Sequence, residues 1–172
     1  MADVIQRGLW FEEYEEGTRY LHRPGRTVTE ADDVVFTTLT MNTQPLHLDA
    51  HWSAQQAHPT SPGSGERLVN SMWTLSTVVG LSVSQLTLGT IVANLGFTEV
   101  SFPKPMFHGD TLYAETVCVS KRLSSSRPSQ GIVNLEHIGR NQHGDIVCRA
   151  TRATLVLCRP TEESAAEGAG QS

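Results

Sequence analysis

The apolar positions change period twice along the chain. Between residues 71 and 86, Met72, Leu75, Val79, Val83 and Leu86 recur at three- and four-residue spacing, the repeat of one helix face. Trp73, Val78 and Leu81 fall on another face, so the helix is apolar most of the way round and has to be wrapped by other structure. Asn70 stands where an N-cap belongs. After this helix the period shortens. Residues 90–102, 111–123, 131–141 and 145–158 are rich in Val, Ile, Leu and Thr and read as strands. Asn141 to Asp145 form a turn, and Pro103, Pro105 and Gly109 punctuate an earlier one.

Before the helix, residues 18–27 predict a first strand. Thr29 then caps a helix that carries Glu30, Asp32 and Asp33 in its first turn and runs to about Met41. Pro45 breaks the chain after it, and Asp49 can cap a short helix over residues 50–57. The order predicts an α+β fold in which a curved five-stranded antiparallel sheet wraps around one long central helix. Residues 58–66 are a loop by composition. Residues 1–160 are expected to form a single domain, and the small polar residues 161–172 a disordered tail.

A net charge of −5 argues against a nucleic-acid surface. No run of eighteen apolar residues is present to span a membrane, and the first residues lack a basic segment followed by an apolar one, so no signal peptide is expected. Cys118, Cys148 and Cys158 make an odd count without CxxC spacing, which fits a reducing cytoplasm; lying in strand-like runs, they are expected to be buried small hydrophobes.

One stretch breaks the apolar patterning with chemistry. Residues 41–54 read MNTQPLHLDAHWSA, with two histidines, one aspartate and two side-chain amides. His47 can exchange a proton near neutral pH. Asn42 cannot, although its carbonyl oxygen can orient water. Asp49 lies within reach of His47 across a turn, but it also stands at a helix N-cap, and capping is the better reading. His47, Asp49 and His51 spell a possible metal cluster. A helix starting at Asp49 would turn the two histidines apart, so no metal is expected.

This stretch resembles the signature of the MaoC-like, R-specific enoyl-CoA hydratase family, close to G-D-x-N-P-L-H-x-D-P-x-x-A. Pro45, Leu46, His47 and Asp49 match it. The family's aspartate falls on Asn42 and its asparagine on Gln44. The His-Gly-Met that opens the family's central helix falls on Asn70, Ser71 and Met72. The F-x-x-P-x-x-x-G-D run falls on residues 102–110, and the late N-x-x-G-D turn also fits. The likeness covers roughly residues 11–160.

The resemblance implies a hot-dog fold and the syn addition of water across the α,β double bond of an enoyl-CoA thioester. It places proton transfer on His47, with Asn42 in the position of the family's acid. It assigns the thioester oxygen to the backbone N–H at the start of the central helix, with Gln44, Asn70, Ser71 and Met72 as substrate-binding candidates. No cofactor is implied beyond the coenzyme A that the substrate carries. Arg67, Lys104, Lys121 and Arg122 are candidates by position for its phosphates. A homodimer or higher homo-oligomer in the cytoplasm is expected. The exchanges at Asn42 and Gln44 point toward a branch acting on dicarboxylic thioesters such as mesaconyl-CoA or itaconyl-CoA. A generic R-specific 2-enoyl-CoA hydratase, an acyl-CoA thioesterase on the same fold and a non-catalytic acyl-CoA-binding protein remain as rivals. The predicted central helix holds no Asp or Glu, which counts against the thioesterase.

Overall fold

A computed structural model describes residues 3–55 and 66–161. Most of the loop expected over 58–66 and all but the first residue of the expected tail lie outside the described residues. Five strands form one antiparallel sheet: β1 (Arg19–Thr27), β2 (Ile91–Ser101), β3 (Thr111–Leu123), β4 (Gln130–Arg140) and β5 (Ile146–Leu157). Their spatial order is β1-β3-β4-β5-β2. The first helix, α1, spans Glu30–Leu39, followed by α2 (Pro45–Leu48), α3 (Ala50–Gln55) and the central α4 (Ser71–Leu86). The sheet packs against α4 through β1, β3, β4 and β5, which is the wrapped helix that the apolar pattern predicts.

Two local differences from the expectation have clear causes. Proline at 45 opens a helix instead of ending one, because at the first helical position its missing N–H is not needed. Helix α1 stops at Leu39, two residues early. There Met41 N–H donates to Thr38 O and Asn42 N–H to Thr37 O, both at 3.0 Å, with Met41 at φ 58°. This is the paired bonding of a helix end closed by a left-handed residue, a place that favours glycine. The family signature has glycine at this position.

The interior holds two apolar clusters along α4. Val78, Leu75, Leu112, Ala114, Cys148 and Ala150 belong to one. Tyr14, Leu86, Cys118, Val133, Leu135 and Val156 belong to the other. Strand alternation puts Thr116 between Ala114 and Cys118, and Arg152 between Ala150 and Val156. With His22 and His137 they form a buried polar layer across β1, β3, β4 and β5. His22 Nδ1–H donates to Gln85 Oε1 at 2.8 Å, so its Nε2 accepts from the Thr116 hydroxyl at 2.9 Å. The Thr116 oxygen then accepts from His137 Nδ1–H at 2.9 Å. Helix α4 reaches the sheet closely at Gly139, where a Cβ would lie 2.6 Å from Val78 Cγ2. Cys118 and Cys148 are buried as expected, and burial pushes the Cys148 thiol up to about 11.

Candidate active site

Three chain segments meet at the N-terminus of α4. Leu68 N–H donates to Leu46 O at 3.2 Å, and Val69 N–H donates to Met106 O at 2.9 Å. The segment entering α4 therefore runs between α2 on one side and the connection from β2 to β3 on the other. A cleft of about 290 Å³ opens where they join. His47, Ser71 and Lys104 are its polar landmarks, and Val69, Phe102 and Met106 are among its apolar walls.

His47 comes from α2, whose first residue is the proline. Its Nδ1 lies 2.7 Å from Leu68 O. A carbonyl oxygen only accepts, so Nδ1 carries the hydrogen and, in the neutral ring, Nε2 keeps the lone pair. The ring is thus held in one tautomer, with the basic nitrogen on the side not bound to the backbone.

Ser71 is the first residue of α4, where backbone N–H groups have no partner within the helix and the helix dipole favours negative charge. The donors on either side are engaged. Asn70 N–H donates to Asp33 Oδ1 at 2.8 Å, and Met72 N–H donates to Asn70 Oδ1 at 3.0 Å. Asn70 is therefore the N-cap that the sequence predicts, buried behind the cleft.

The other predicted site residues sit apart from the cleft lining. Asn42 Oδ1 accepts from Gln44 N–H at 3.2 Å, so this amide closes the local turn that leads into α2. Gln44 is the residue before that helix. Met72 is 52% exposed. Asp49 Oδ1 accepts from Trp52 N–H at 2.8 Å and caps α3. His51 Nε2 pairs with the Gln55 side chain at 2.9 Å. Among the described residues, no group of three or more His, Cys, Asp or Glu side chains is placed to hold a metal.

Of the four basic candidates, Lys104 lines the cleft, with its Nζ donating to Asp145 Oδ1 at 2.6 Å. Arg67 is engaged by Glu30 and by Leu48 O. The Lys121 ammonium sits over the Phe11 ring, 5.1 Å from its centroid, at the far end of β3 from the cleft. Arg122 is the next residue of that strand.

Two residues behind the cleft escaped the sequence reading. Asp33 had the look of one more first-turn acid of α1, yet it is fully buried. His108 Nε2–H donates to Asp33 Oδ2 at 3.0 Å. The available signal was weak: adjacent Asp32 and Asp33 lie about 100° apart on a helix, so the two point in different directions and cannot both pair with the Thr29 cap. Asp32 does so, in a reciprocal box with Thr29.

Comparison with known proteins agrees with this architecture. A mesaconyl-CoA hydratase from Haloarcula hispanica is 32% identical over 171 residues, 98% of this chain and 45% of that protein. The chain thus spans slightly less than half the length of this relative. The crystal structure of a MaoC-like dehydratase from Rhodospirillum rubrum superposes with a TM-score of 0.76 at 29% identity, covering 90% of this chain and all of that one. A Mycobacterium tuberculosis protein described as having a double hot-dog fold superposes with a TM-score of 0.73 at 23% identity, over 89% of this chain and 45% of its own. The fold is the hot-dog fold, and with the MaoC-like domain profile matching residues 12–141, the chain belongs to the MaoC-like domain family.

Proposed function

We propose that this chain reversibly hydrates a short enoyl-CoA thioester. The observation that carries the proposal is one cleft lined by both His47, in a fixed tautomer, and Ser71, at the N-terminus of a sixteen-residue helix. In the hydration direction, the oxygen of water bonds to Cβ as His47 Nε2 takes its proton. The π electrons move toward the carbonyl, and the resulting enolate oxygen is held by the Ser71 N–H. The enolate then collapses, and Cα takes a proton from the imidazolium on the same face. General acid–base assistance of this kind is worth ~10²–10⁴-fold, and one backbone donor to the oxyanion on the order of 10²–10³. Asn42, outside the cleft lining but in the segment that leads into α2, enters through the second lone pair of its Oδ1, which the bond from Gln44 N–H leaves for a water.

The substrate favoured is a branched dicarboxylic enoyl-CoA such as mesaconyl-CoA or itaconyl-CoA. The Haloarcula relative is named a mesaconyl-CoA hydratase, and neutral Asn42 and Gln44, in the segment that delivers His47 to the cleft, bring no negative charge toward an anionic acyl group. At ~4 Å and an effective dielectric near 20, one like-charge contact would cost about 4 kcal/mol. Lys104 is the basic side chain at this cleft and would meet either the acyl carboxylate or the coenzyme phosphates. A second copy of the chain is the expected partner. Edge strand β2 exposes Ile91, Val92, Leu95, Phe97 and Val100, an apolar edge of the kind that pairing with another chain covers.

The test is the ultraviolet absorbance of the conjugated thioester, followed for mesaconyl-CoA, itaconyl-CoA and crotonyl-CoA at one pH, with product identification and assay of free thiol. Loss of conjugation without thiol release supports hydration. Thiol release would indicate a thioesterase, and saturable binding with neither change an acyl-CoA-binding protein. Hydration of crotonyl-CoA alone would leave the generic hydratase and remove the dicarboxylic preference.

A further inference from the structure

The buried carboxylate of Asp33 gathers donors from three elements. Asn70 N–H, at the mouth of α4, reaches Oδ1 at 2.8 Å. His108, from the connection before β3, reaches Oδ2 at 3.0 Å. Thr37, one turn further along α1, directs its hydroxyl at Oδ1 from 3.4 Å. Thr37 Oγ1 in turn accepts from Asn70 Nδ2 at 3.2 Å, and the Thr37 carbonyl accepts from Asn42 N–H at 3.0 Å. The same turn of α1 therefore holds both halves of the site: the residue before Ser71 and the start of the segment that delivers His47.

A buried carboxylate is retained at a site only when it is well paired, and its charge-assisted hydrogen bonds are about twice as strong as neutral ones. None of its three partners, Thr37, Asn70 and His108, belongs to the five-stranded sheet. Its bonds converge instead on Asn70, whose N–H, Nδ2 and Oδ1 are all engaged. With Asn70 fixed in this way, the peptide that carries the Ser71 N–H has little freedom to rotate. We infer that Asp33 and His108 are positioning residues that aim the Ser71 N–H at the thioester oxygen, an inference that rests on the hydratase reading above.

The experiment compares wild type with His108→Phe, His108→Gln and Asp33→Asn. Each variant is checked for folding by circular dichroism. His108→Phe fills the volume without a donor, whereas His108→Gln restores an N–H toward Asp33. The readouts are kcat and KM for enoyl-CoA hydration, together with the infrared carbonyl stretch of bound ¹³C-labelled butyryl-CoA, which cannot be hydrated. We expect His108→Phe and Asp33→Asn to lower kcat by roughly tenfold or more with KM nearly unchanged, since part of an oxyanion donor's worth is lost. The bound carbonyl should return toward its frequency in water in those variants, and His108→Gln should restore both quantities. If Asp33→Asn does not fold, the His108 pair decides the matter. A folded His108→Phe variant with wild-type kcat and a wild-type carbonyl shift would overturn the inference and leave the hydratase reading intact. A wild-type protein that binds butyryl-CoA without shifting its carbonyl would remove the Ser71 donor and with it this inference, whereas only a wild-type protein that fails to hydrate the enoyl-CoA would remove the hydratase reading.

Discussion

Mild acid should destabilise this protein from its interior, and the polar layer beneath α4 sets the size of the effect. Burial, then the Arg152 guanidinium, then His22, push His137 from its ordinary value of 6.5 down to about 3. His137 is fully buried, its Nδ1–H is committed to Thr116, and its Nε2 has no hydrogen-bond partner among the described residues. The folded state therefore prefers the neutral ring, while the unfolded chain takes up a proton near pH 6.5. Because the folded value lies below the unfolded one, the stability is fully present above about pH 6.5 and is lost as the pH falls toward 3. At pH 5 the unfolded state is favoured by RT ln(1 + 10^1.5), about 2 kcal/mol from this residue alone. His22, also shifted downward by burial, adds in the same direction. Urea unfolding at pH 7 and pH 5 measures the loss, and His137→Asn, which keeps an N–H for Thr116 but cannot be protonated, isolates it from the carboxylates. Wild type should lose about 2 kcal/mol more than the variant over this interval. Equal losses would show that His137 is solvated or already protonated in the fold, and the buried neutral layer would be wrong.

Three further outcomes are expected. His47→Gln, which can still donate to Leu68 O but cannot act as a base, should lower kcat by roughly 10²-fold or more while leaving the unfolding midpoint nearly unchanged; wild-type turnover in the folded variant would remove His47 from proton transfer. Asn42→Asp should keep or raise hydration of crotonyl-CoA while slowing mesaconyl-CoA, through the like-charge contact it introduces, so steady-state rates on the two substrates should diverge. Met41→Gly should stabilise the protein by about 0.5–1 kcal/mol. It relieves the left-handed strain of a side chain that is 86% exposed and so forfeits little packing, partly offset by the greater freedom of glycine in the unfolded chain. Thermal unfolding reads this directly.

The sheet and the central helix were legible because burial imposes a period. Residues 71–86 show the helical repeat and form α4 over that same span, and residues 111–123 form β3 over theirs. Capping was legible for a similar local reason: Thr29, Asp49 and Asn70 each bond an N–H within three residues of themselves. Proline at 45 misled because a ring that breaks a helix interior is at home in a first turn, and only the residues ahead of it decide between the two.

The network behind the site was not legible, because its partners are far apart in the chain. Asp33 meets Asn70 across 37 positions and His108 across 75, with no local pattern to join them. Periodicity even concealed the acid, since Asp33 falls on the inward face of an otherwise polar first turn and is counted there as one more favourable charge. The same limit applies to the polar layer: His22, Thr116, His137 and Arg152 each sit at an inward strand position that an apolar residue would fill without comment. Alternation tells which positions face inward but not which of them must satisfy one another, and satisfaction is what a buried donor requires. The departures from apolar patterning at inward positions are therefore the places where sequence analysis has most to gain. In this chain they mark two different roles, one beneath the cleft that fixes a backbone donor and one beneath the helix that sets the acid limit of the fold.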